Sequence, residues 1–308
     1  MKAVSTLLLL VFFGLVCHAQ TAIPVAKPKR PIPAVEHILI ISIDGLRPDR
    51  ALLADMPNLR SLLKNGAYTF WAKTTAVSIT LPSHTSMLTG VTPSKHGIEW
   101  NRDLPLKEPV YPKVPTIFEM ATQAGYSAAM VAGKSKFSTL AKPGTVAFVT
   151  VPEEGNSNNE VVVASAVKLI ETKHPDLLFV HFPDVDATGH AYGWGSSEQF
   201  AAIEKTDRQL GQLFAALDRA GIRSSTLIIL SADHGGAGLT HGPDDARSRH
   251  IPWIACGPGV RKNFDLTQSA TLEVRTEDTC ATACYLLGLP QQPYFDGHPV
   301  MLAFEIAP

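Results

Sequence analysis

Aspartate and histidine residues recur just after three apolar segments of this 308-residue sequence. The first cluster is Asp44-Gly45, the second contains Asp186 and His190, and the third is 233–241, which opens with Asp-His-Gly and ends at His241. One Asp-Gly alone is usually only a turn, and one loop histidine is often a satisfied polar residue. Several carboxylates close together need a cationic partner, and Asp with His is a ligand set that suits Zn²⁺. The combination predicts a divalent-metal centre, with zinc favoured over manganese or iron.

A hydroxyl-rich segment begins at Thr80 and reads Thr-Leu-Pro-Ser-His-Thr-Ser. Pro82 predicts a helix N-terminus there, where backbone amides are free to donate. Such an end suits an anionic phosphoryl group and a hydroxyl that attacks it. A simple helix cap by serine or threonine is the alternative, and it is favoured when the segment is considered alone.

The elements that position these residues are short apolar runs alternating with amphipathic stretches. Runs of nearly continuous apolar character are typical of strands covered on both faces. Their alternation with helices predicts an α/β fold, with a mostly parallel central sheet and helices on both faces. The predicted strands are 37–43, 126–132, 176–182, 226–230 and 251–256, and the predicted helices are 57–65, 116–124, 159–172, 197–220 and 278–287. Because open parallel sheets bind ligands beyond the carboxyl ends of their strands, the clusters should converge in one crevice.

The N-terminal region has the pattern of a secretory signal peptide. Lys2 precedes an apolar run at 7–16, and a small-x-small site ends at Ala19. The run is shorter than the roughly 20 residues that span a bilayer, and Val16 disfavours a lipid anchor at Cys17. We therefore predict a signal peptide at 1–19, a proline-rich linker at 20–36 and a single catalytic domain at 37–308. The protein is expected to be secreted or periplasmic, without stable membrane insertion.

Composition excludes some classes of partner. The formal net charge of -1 gives no electrostatic reason to expect a nucleic-acid polymer or a membrane surface. Cys280 and Cys284 lie four residues apart on a predicted helix, where disulfide geometry is poor, so we expect buried thiols. The sequence does not indicate an oligomeric state.

Taken together, the motifs resemble the type I phosphodiesterase/nucleotide pyrophosphatase branch of the alkaline phosphatase superfamily. The resemblance extends from residue 37 to about residue 300, and the set of motifs is specific in combination. The matching segments are Asp44-Gly45, Thr80-Leu81-Pro82-Ser83, Thr89-Gly90, Pro93, His96-Gly97, Asn101, Asp186-Ala187-Thr188-Gly189-His190, Asp233-His234-Gly235, His241-Gly242 and Gly257-Pro258.

The resemblance implies a three-layer sandwich, two divalent ions and a small phosphorylated substrate. It implies one metal site formed by Asp186, His190 and His241, and a second formed by Asp44, Asp233, His234 and the Thr80 oxygen. Thr80 would be the nucleophile and would carry the phosphoryl group as a covalent intermediate. Asn101 and the Thr80 amide would bind the phosphoryl oxygens. Two ions about 4 Å apart stabilise both the attacking and the leaving oxygen of such a displacement.

The sequence departs from the family at several positions. Leu81 replaces an aromatic residue, Ser83 replaces asparagine, and only residues 236–240 separate the Asp-His-Gly motif from His241, where nucleotide pyrophosphatases have a long insert. This leaves nucleotide specificity open. Lys134 and Lys136 are similar to a Lys-x-Lys pair that contacts substrate in phosphonoacetate hydrolases. Two solvated lysines are the alternative; lysines facing the site would favour a compact, highly anionic substrate such as a monoester.

Other enzyme classes fit less well. A P-loop ending at Lys134 would need glycine at 128, where the chain has alanine, and no Gly-x-Ser-x-Gly motif of a serine hydrolase is present. A related mutase would use serine and is usually cytosolic. A phosphonoacetate-hydrolase-like C–P hydrolase and a non-catalytic phosphate-binding relative are the alternatives, although all expected ligands are present.

Overall fold

The computed structural model describes residues 26–102, 110–242 and 244–305, so the predicted signal peptide lies outside the described residues. Eight strands form one sheet in the order β4-β3-β5-β1-β6-β7-β2-β8. They are β1 (His37–Ile43), β2 (Gly66–Lys73), β3 (Ala128–Ala132), β4 (Phe148–Thr150), β5 (Leu177–Phe182), β6 (Thr226–Ser231), β7 (His250–Cys256) and β8 (Phe264–Asp265).

The sheet is mostly parallel, as predicted. Strands β4, β3, β5, β1 and β6 are parallel neighbours, and β2 is parallel to β8. Only β7 runs against its neighbours β6 and β2. The five predicted strands are all present. β2 was not predicted because it has no continuous apolar run. β4 and β8 were not predicted because they are only three and two residues long.

Helices cover both faces of the sheet, which confirms the predicted α/β class. The helices are α1 (Pro48–Leu53), α2 (Pro57–Lys64), α3 (Thr80–Thr89), α4 (Pro93–His96), α5 (Ile117–Gln123), α6 (Asn159–Lys173), α7 (Asp184–Tyr192), α8 (Ser197–Arg219), α9 (Ala246–Arg249) and α10 (Asp278–Leu286). One group of helices that contact each other contains α2, α6, α7 and α8, and the other contains α3, α4, α5 and α10. Local caps begin several of them: the side chains of Thr116, Asn158 and Ser196 accept hydrogen bonds from the first turns of α5, α6 and α8.

Helix α2 is capped by a residue of a neighbouring helix. Its own N-cap residue, Met56, makes no side-chain cap hydrogen bond. Instead the buried Asp207 carboxylate of α8 accepts from the backbone amides of Asn58 (3.0 Å) and Leu59 (2.8 Å), and from the Asn58 side chain (3.0 Å). One carboxylate thus joins two helices of the same layer.

The described part of the proline-rich segment contacts the body of the protein. Lys27 forms an ion pair with Asp176 at 2.7 Å, and Val35 is fully buried. Cys256, Cys280 and Cys284 are buried free thiols. Within residues 26–102, 110–242 and 244–305, no helix combines the length and apolar character needed to cross a membrane.

Candidate active site and metal centre

The carboxyl ends of three adjacent parallel strands bring the predicted residues together. Asp44 directly follows β1, Asp186 lies in the first turn of α7 after β5, and Asp233-His234 follow β6 after one residue. Because β1 lies between β5 and β6, all three carboxylates point to one edge of the sheet. All of these side chains are buried.

Three buried carboxylate oxygens surround one imidazole nitrogen. His234 Nε2 lies 3.1 Å from Asp233 Oδ2, 3.4 Å from Asp44 Oδ1 and 4.0 Å from Asp186 Oδ1. Within the described chain, none of these three oxygens accepts a hydrogen bond. Buried, unpaired carboxylate oxygens are costly, so the cluster requires a cation. The oxygen and nitrogen donors fit a divalent metal such as zinc.

The histidine tautomers support this fit. His190, His234 and His241 each direct Nδ1 at a backbone carbonyl, at 2.9, 2.8 and 2.7 Å respectively. A carbonyl oxygen can only accept, so Nδ1 carries the proton in each ring. Nε2 is therefore the nitrogen of each ring that is left to bind either a proton or a metal ion, the usual arrangement of metal-binding histidines.

Ligand atoms of two residue groups lie within 4.8 Å of one another. The first is Asp186, His190 and His241, the same set that the family resemblance implies. The second is Asp44, Asp186 and His234, so Asp186 stands where the resemblance places Asp233. Asp186 Oδ1 is 3.4 Å from His190 Nε2 and 3.6 Å from His241 Nε2. Asp186 thus lies between the two halves of the cluster.

The cluster also shifts proton affinities. Burial alone lowers the pKa of His234, but Asp233, Asp44 and Asp186 outweigh it and raise this pKa to about 9. Burial, reinforced by His234, lowers the pKa of His241 to about 4. A proton on His234 therefore offsets part of the carboxylate charge, and a metal ion would take over that role.

Lys134 supplies a second cation to the cluster. It follows β3, is buried, and places Nζ 2.7 Å from Asp44 Oδ2 and 2.6 Å from Asp186 Oδ2. Burial lowers the pKa of Lys134, but the surrounding aspartates outweigh it and raise this pKa. Burial likewise raises the pKa of Asp44, and Lys134 and His181 more than reverse the effect. The solvated alternative is therefore wrong for Lys134.

Thr80 is the first residue of α3 and lies buried against the cluster. Its Oγ1 is 3.4 Å from His234 Nε2. Asn101 is joined to the same helix end, because its Oδ1 accepts from the Leu81 amide at 2.9 Å. Lys136 Nζ donates to the same Oδ1 at 3.3 Å and to the Asn101 carbonyl at 3.1 Å. Among the described residues no acceptor contacts Asn101 Nδ2, and Lys136 contacts both oxygens of Asn101.

Two buried histidines of the site were missed by the sequence analysis. His181 Nε2 donates to Asp44 Oδ2 at 2.8 Å, and its Nδ1 accepts from the Gly133 amide. His84 Nδ1 donates to the Thr80 carbonyl at 2.8 Å, and its Nε2 accepts from the Ser42 hydroxyl at 2.8 Å. Signals were present: His181 is the one polar residue of strand β5, and His84 lies one helical turn after Thr80.

The indole of Trp194 accounts for the lack of a side chain at three glycines of the motifs. Its Nε1 donates to the Gly45 carbonyl at 3.0 Å. A Cβ atom at Gly45, Gly189 or Gly236 would lie 3.2, 2.8 or 2.3 Å from the indole. The glycine beside Asp44, the one beside His190 and the one shortly after His234 therefore leave room for one ring.

This fold and this donor set are those of a metal-dependent α/β protein, and similarity to known proteins identifies its family. The model of the type I phosphodiesterase / nucleotide pyrophosphatase family matches residues 38–248. The match covers more than half of the chain, and the protein belongs to this family.

Curated relatives share modest identity. Mouse ectonucleotide pyrophosphatase/phosphodiesterase family member 7 is 26% identical over 241 residues, which cover 72% of this chain and 54% of that protein. Venom phosphodiesterase 2 of Crotalus adamanteus is 27% identical over 223 residues, covering 64% of this chain and 26% of the venom protein. The chain thus spans about half, or only a quarter, of the length of these relatives.

Solved structures support the fold. An inactive variant of mouse ENPP5 in complex with AMP superposes with a TM-score of 0.72 at 18% identity, covering 87% of this chain and 98% of that one. A 2-O GAG sulfatase superposes with a TM-score of 0.71 at 16% identity, covering 90% and 74%. This supports the predicted fold of the superfamily.

Proposed function

We propose that the protein is a metal-dependent phosphoester hydrolase with Thr80 as its nucleophile. The observation that carries the proposal is the position of Thr80 Oγ1 at a helix N-terminus, 3.4 Å from His234 Nε2 and beside three unpaired buried carboxylate oxygens. The residues proposed to hold two divalent ions, most readily zinc, are Asp44, Thr80, Asp186, His190, Asp233, His234 and His241. Bound there, the ions would lower the pKa of the threonine hydroxyl and stabilise charge on the phosphoryl group.

The remaining residues position the nucleophile and the substrate. His84 holds the Thr80 carbonyl, and through Ser42 it fixes the start of α3 relative to β1. Asn101 offers Nδ2 to a phosphoryl oxygen, while the Leu81 amide and Lys136 fix its Oδ1. Lys134 offsets part of the negative charge of Asp44 and Asp186 through their Oδ2 atoms. Thr80 Oγ1 would lose its proton and attack phosphorus, and the leaving-group oxygen would take up a proton and depart as an alcohol. Water would then cleave the new Oγ1–P bond, which releases the phosphate product and restores the threonine hydroxyl.

The proposed substrate is a small phosphorylated molecule that the enzyme encounters outside the cytoplasm. The relatives support this, since they include a venom phosphodiesterase and an ectonucleotide pyrophosphatase/phosphodiesterase. Inactive mouse ENPP5 binds AMP. The loop between the Asp-His-Gly motif and His241 is closed by paired hydrogen bonds between Ala237 and Thr240, and His190 is 43% exposed. Solvent therefore reaches the proposed site on the side of His190.

The test compares Thr80→Ala with a matched variant, Thr85→Ala, in zinc-loaded protein. Thr85 lies on the same helix but donates its hydroxyl to the Leu81 carbonyl. An aryl phosphate monoester and the matching diester would serve as substrates. Thr80→Ala should lower kcat by about 10³-fold or more, as loss of a nucleophile does, with metal content unchanged. More than a tenth of wild-type turnover in Thr80→Ala would refute the nucleophile assignment.

A further inference from the structure

A cavity of about 740 Å³ lies beside the first turn of α3. It is lined by the segment after β2, by the start of α4 and by the segment before α10, and by none of the seven residues proposed as metal ligands. Ile79 and Pro82 of its wall flank Thr80 in the chain. The volume is within the usual range of small-molecule sites.

One wall of this cavity is apolar. Ala76, Val77, Ile79, Pro82 and Pro93 contribute to it, and Val77 is 57% exposed. Such a wall favours a ligand with a hydrocarbon body, because covering the apolar surface removes it from water.

The cations of the cavity are already neutralised. Lys73 Nζ lies 2.6 Å from one oxygen of Glu273, and Arg275 Nε lies 3.0 Å from the other. Arg249 Nη1 lies 2.9 Å from Asp244 Oδ1. Each of these three cations thus already has a carboxylate partner, and Arg249 Nε is the one of their nitrogens that is buried without a hydrogen bond among the described residues.

Glu277 differs from the other acidic residues that line the cavity because it is buried, whereas Glu99 and Glu273 are exposed. It is only 6% exposed, and among the described residues no cation lies within ion-pair distance of its carboxylate. It occupies the N-cap of α10 but makes no side-chain cap hydrogen bond. The adjacent Asp278 accepts from the Arg275 and His298 amides instead, at 2.8 and 2.7 Å.

Burial raises the pKa of Glu277, and the negative charge of Asp278 adds to the effect. Nearby Arg275 lowers this pKa but does not reverse the shift. Keeping a buried carboxylate ionised is costly, so a further cation beside it would be stabilising. Helix capping does not explain its presence, whereas a ligand would.

We propose that this cavity binds an organic cation, an ammonium group on an apolar body. The ammonium would pair with the Glu277 carboxylate, and the hydrocarbon part would cover Val77, Ile79 and Pro82. The inference does not depend on the proposed hydrolase activity, since it uses no residue of the metal centre.

Calorimetric titration of the zinc-loaded full chain tests this with two matched probes, n-hexylammonium chloride and 1-hexanol. The ammonium should bind saturably and at least about tenfold more tightly, because a charge-assisted pair is stronger than a neutral hydrogen bond. Absence of saturable heat, or equal affinity for both probes, overturns the proposal. This comparison needs no variant.

A pair of variants locates the site. Glu277→Gln should weaken ammonium binding at least about tenfold, whereas Glu99→Gln should change it less than about threefold, since Glu99 lies on the same wall but is exposed to solvent, which screens its charge. Circular-dichroism melting would check that both variants fold. Equal losses in the two variants, or no loss in Glu277→Gln, would overturn the assignment to Glu277.

Discussion

At the scale of single residues, charge balance within the carboxylate cluster is the controlling feature. Lys134 occupies one side of Asp44 and Asp186 through their Oδ2 atoms, while the Oδ1 atoms on the other side have no hydrogen-bond donor in the described chain. The protein thus supplies the Lys134 ammonium on one side and leaves room for metal ions on the other.

Lys134→Met should therefore destabilise the metal-free protein more than the zinc-loaded protein. Without metal, removal of the lysine leaves buried carboxylates uncompensated, at a cost of about 3–5 kcal/mol. Bound zinc would neutralise the same carboxylates and reduce the loss. Urea unfolding with chelator and with zinc would measure both values. Lys142→Met, at an exposed lysine 3.7 Å from Glu119, is the control and should change stability little. An equal loss with and without zinc would contradict this balance.

His96 should contribute to the acid sensitivity of the fold. Burial lowers its pKa from 6.5 to about 4, and its ring is held between Ser86 Oγ and the Ile98 amide. Because the unfolded chain binds the proton more readily, stability is full above about pH 6.5 and falls as the pH drops toward 4, by up to about 3 kcal/mol.

The variant His96→Gln should show a shallower dependence of unfolding free energy on pH between 4 and 7. Some dependence would remain, since the pKa of buried His84 is also lowered to about 4. Denaturant unfolding across this range is the measurement. Identical slopes in wild type and variant would show that His96 does not titrate as described.

The sequence predicted the location of the candidate site where several residue types occur together in one motif. The Asp and His clusters pointed correctly to one crevice because each followed a recognisable strand. Whether Lys134 is buried could not be predicted from its neighbours in the sequence, because its burial depends on Asp44 and Asp186, which follow two other strands. His181 was missed because its partner, Asp44, lies 137 positions away.

At the scale of elements, the sequence predicted the buried central strands but not the strands and helices that lack a regular apolar pattern. Strands of the sheet centre were found because they are apolar throughout, whereas β2 lacks a continuous apolar run and its Trp71 is 64% exposed. Helix α7 was not predicted as a helix because it carries the polar motif of Asp186 and His190 in place of an amphipathic pattern. Its position after β5 is nevertheless what the open parallel sheet required.

Asp207→Ala should destabilise the fold by about 2–4 kcal/mol. The substitution removes the carboxylate that accepts from two backbone amides and one side-chain amide at the start of α2, leaving the buried Leu59 amide and the part-buried Asn58 amide without that partner. Asp218→Ala on the same helix is the control, because Asp218 is exposed. Urea unfolding would give both values. A loss below about 0.5 kcal/mol in Asp207→Ala would show that α2 does not depend on this cap.

At the scale of the whole molecule, the proposed metal centre lies where β1, β5 and β6 meet α3 and α7. Ions bound there would join segments from across the sequence, and binding to the folded state alone raises stability. The thermal midpoint should therefore increase saturably with zinc and fall with chelator. Scanning calorimetry of wild type and Asp186→Asn would test this, since Asp186 belongs to both donor groups. A midpoint independent of zinc in wild type would refute a metal centre at this position.

The indole of Trp194 gives this centre an optical reporter. Its ring centre lies 5.1 Å from that of His190 and 5.8 Å from that of His241, and it is only 7% exposed. Protonation or metal binding at these imidazoles would change the electric field at an excited indole, and hence its emission. Occupancy of the site could then be followed in real time by intrinsic fluorescence, with no added dye and no substrate.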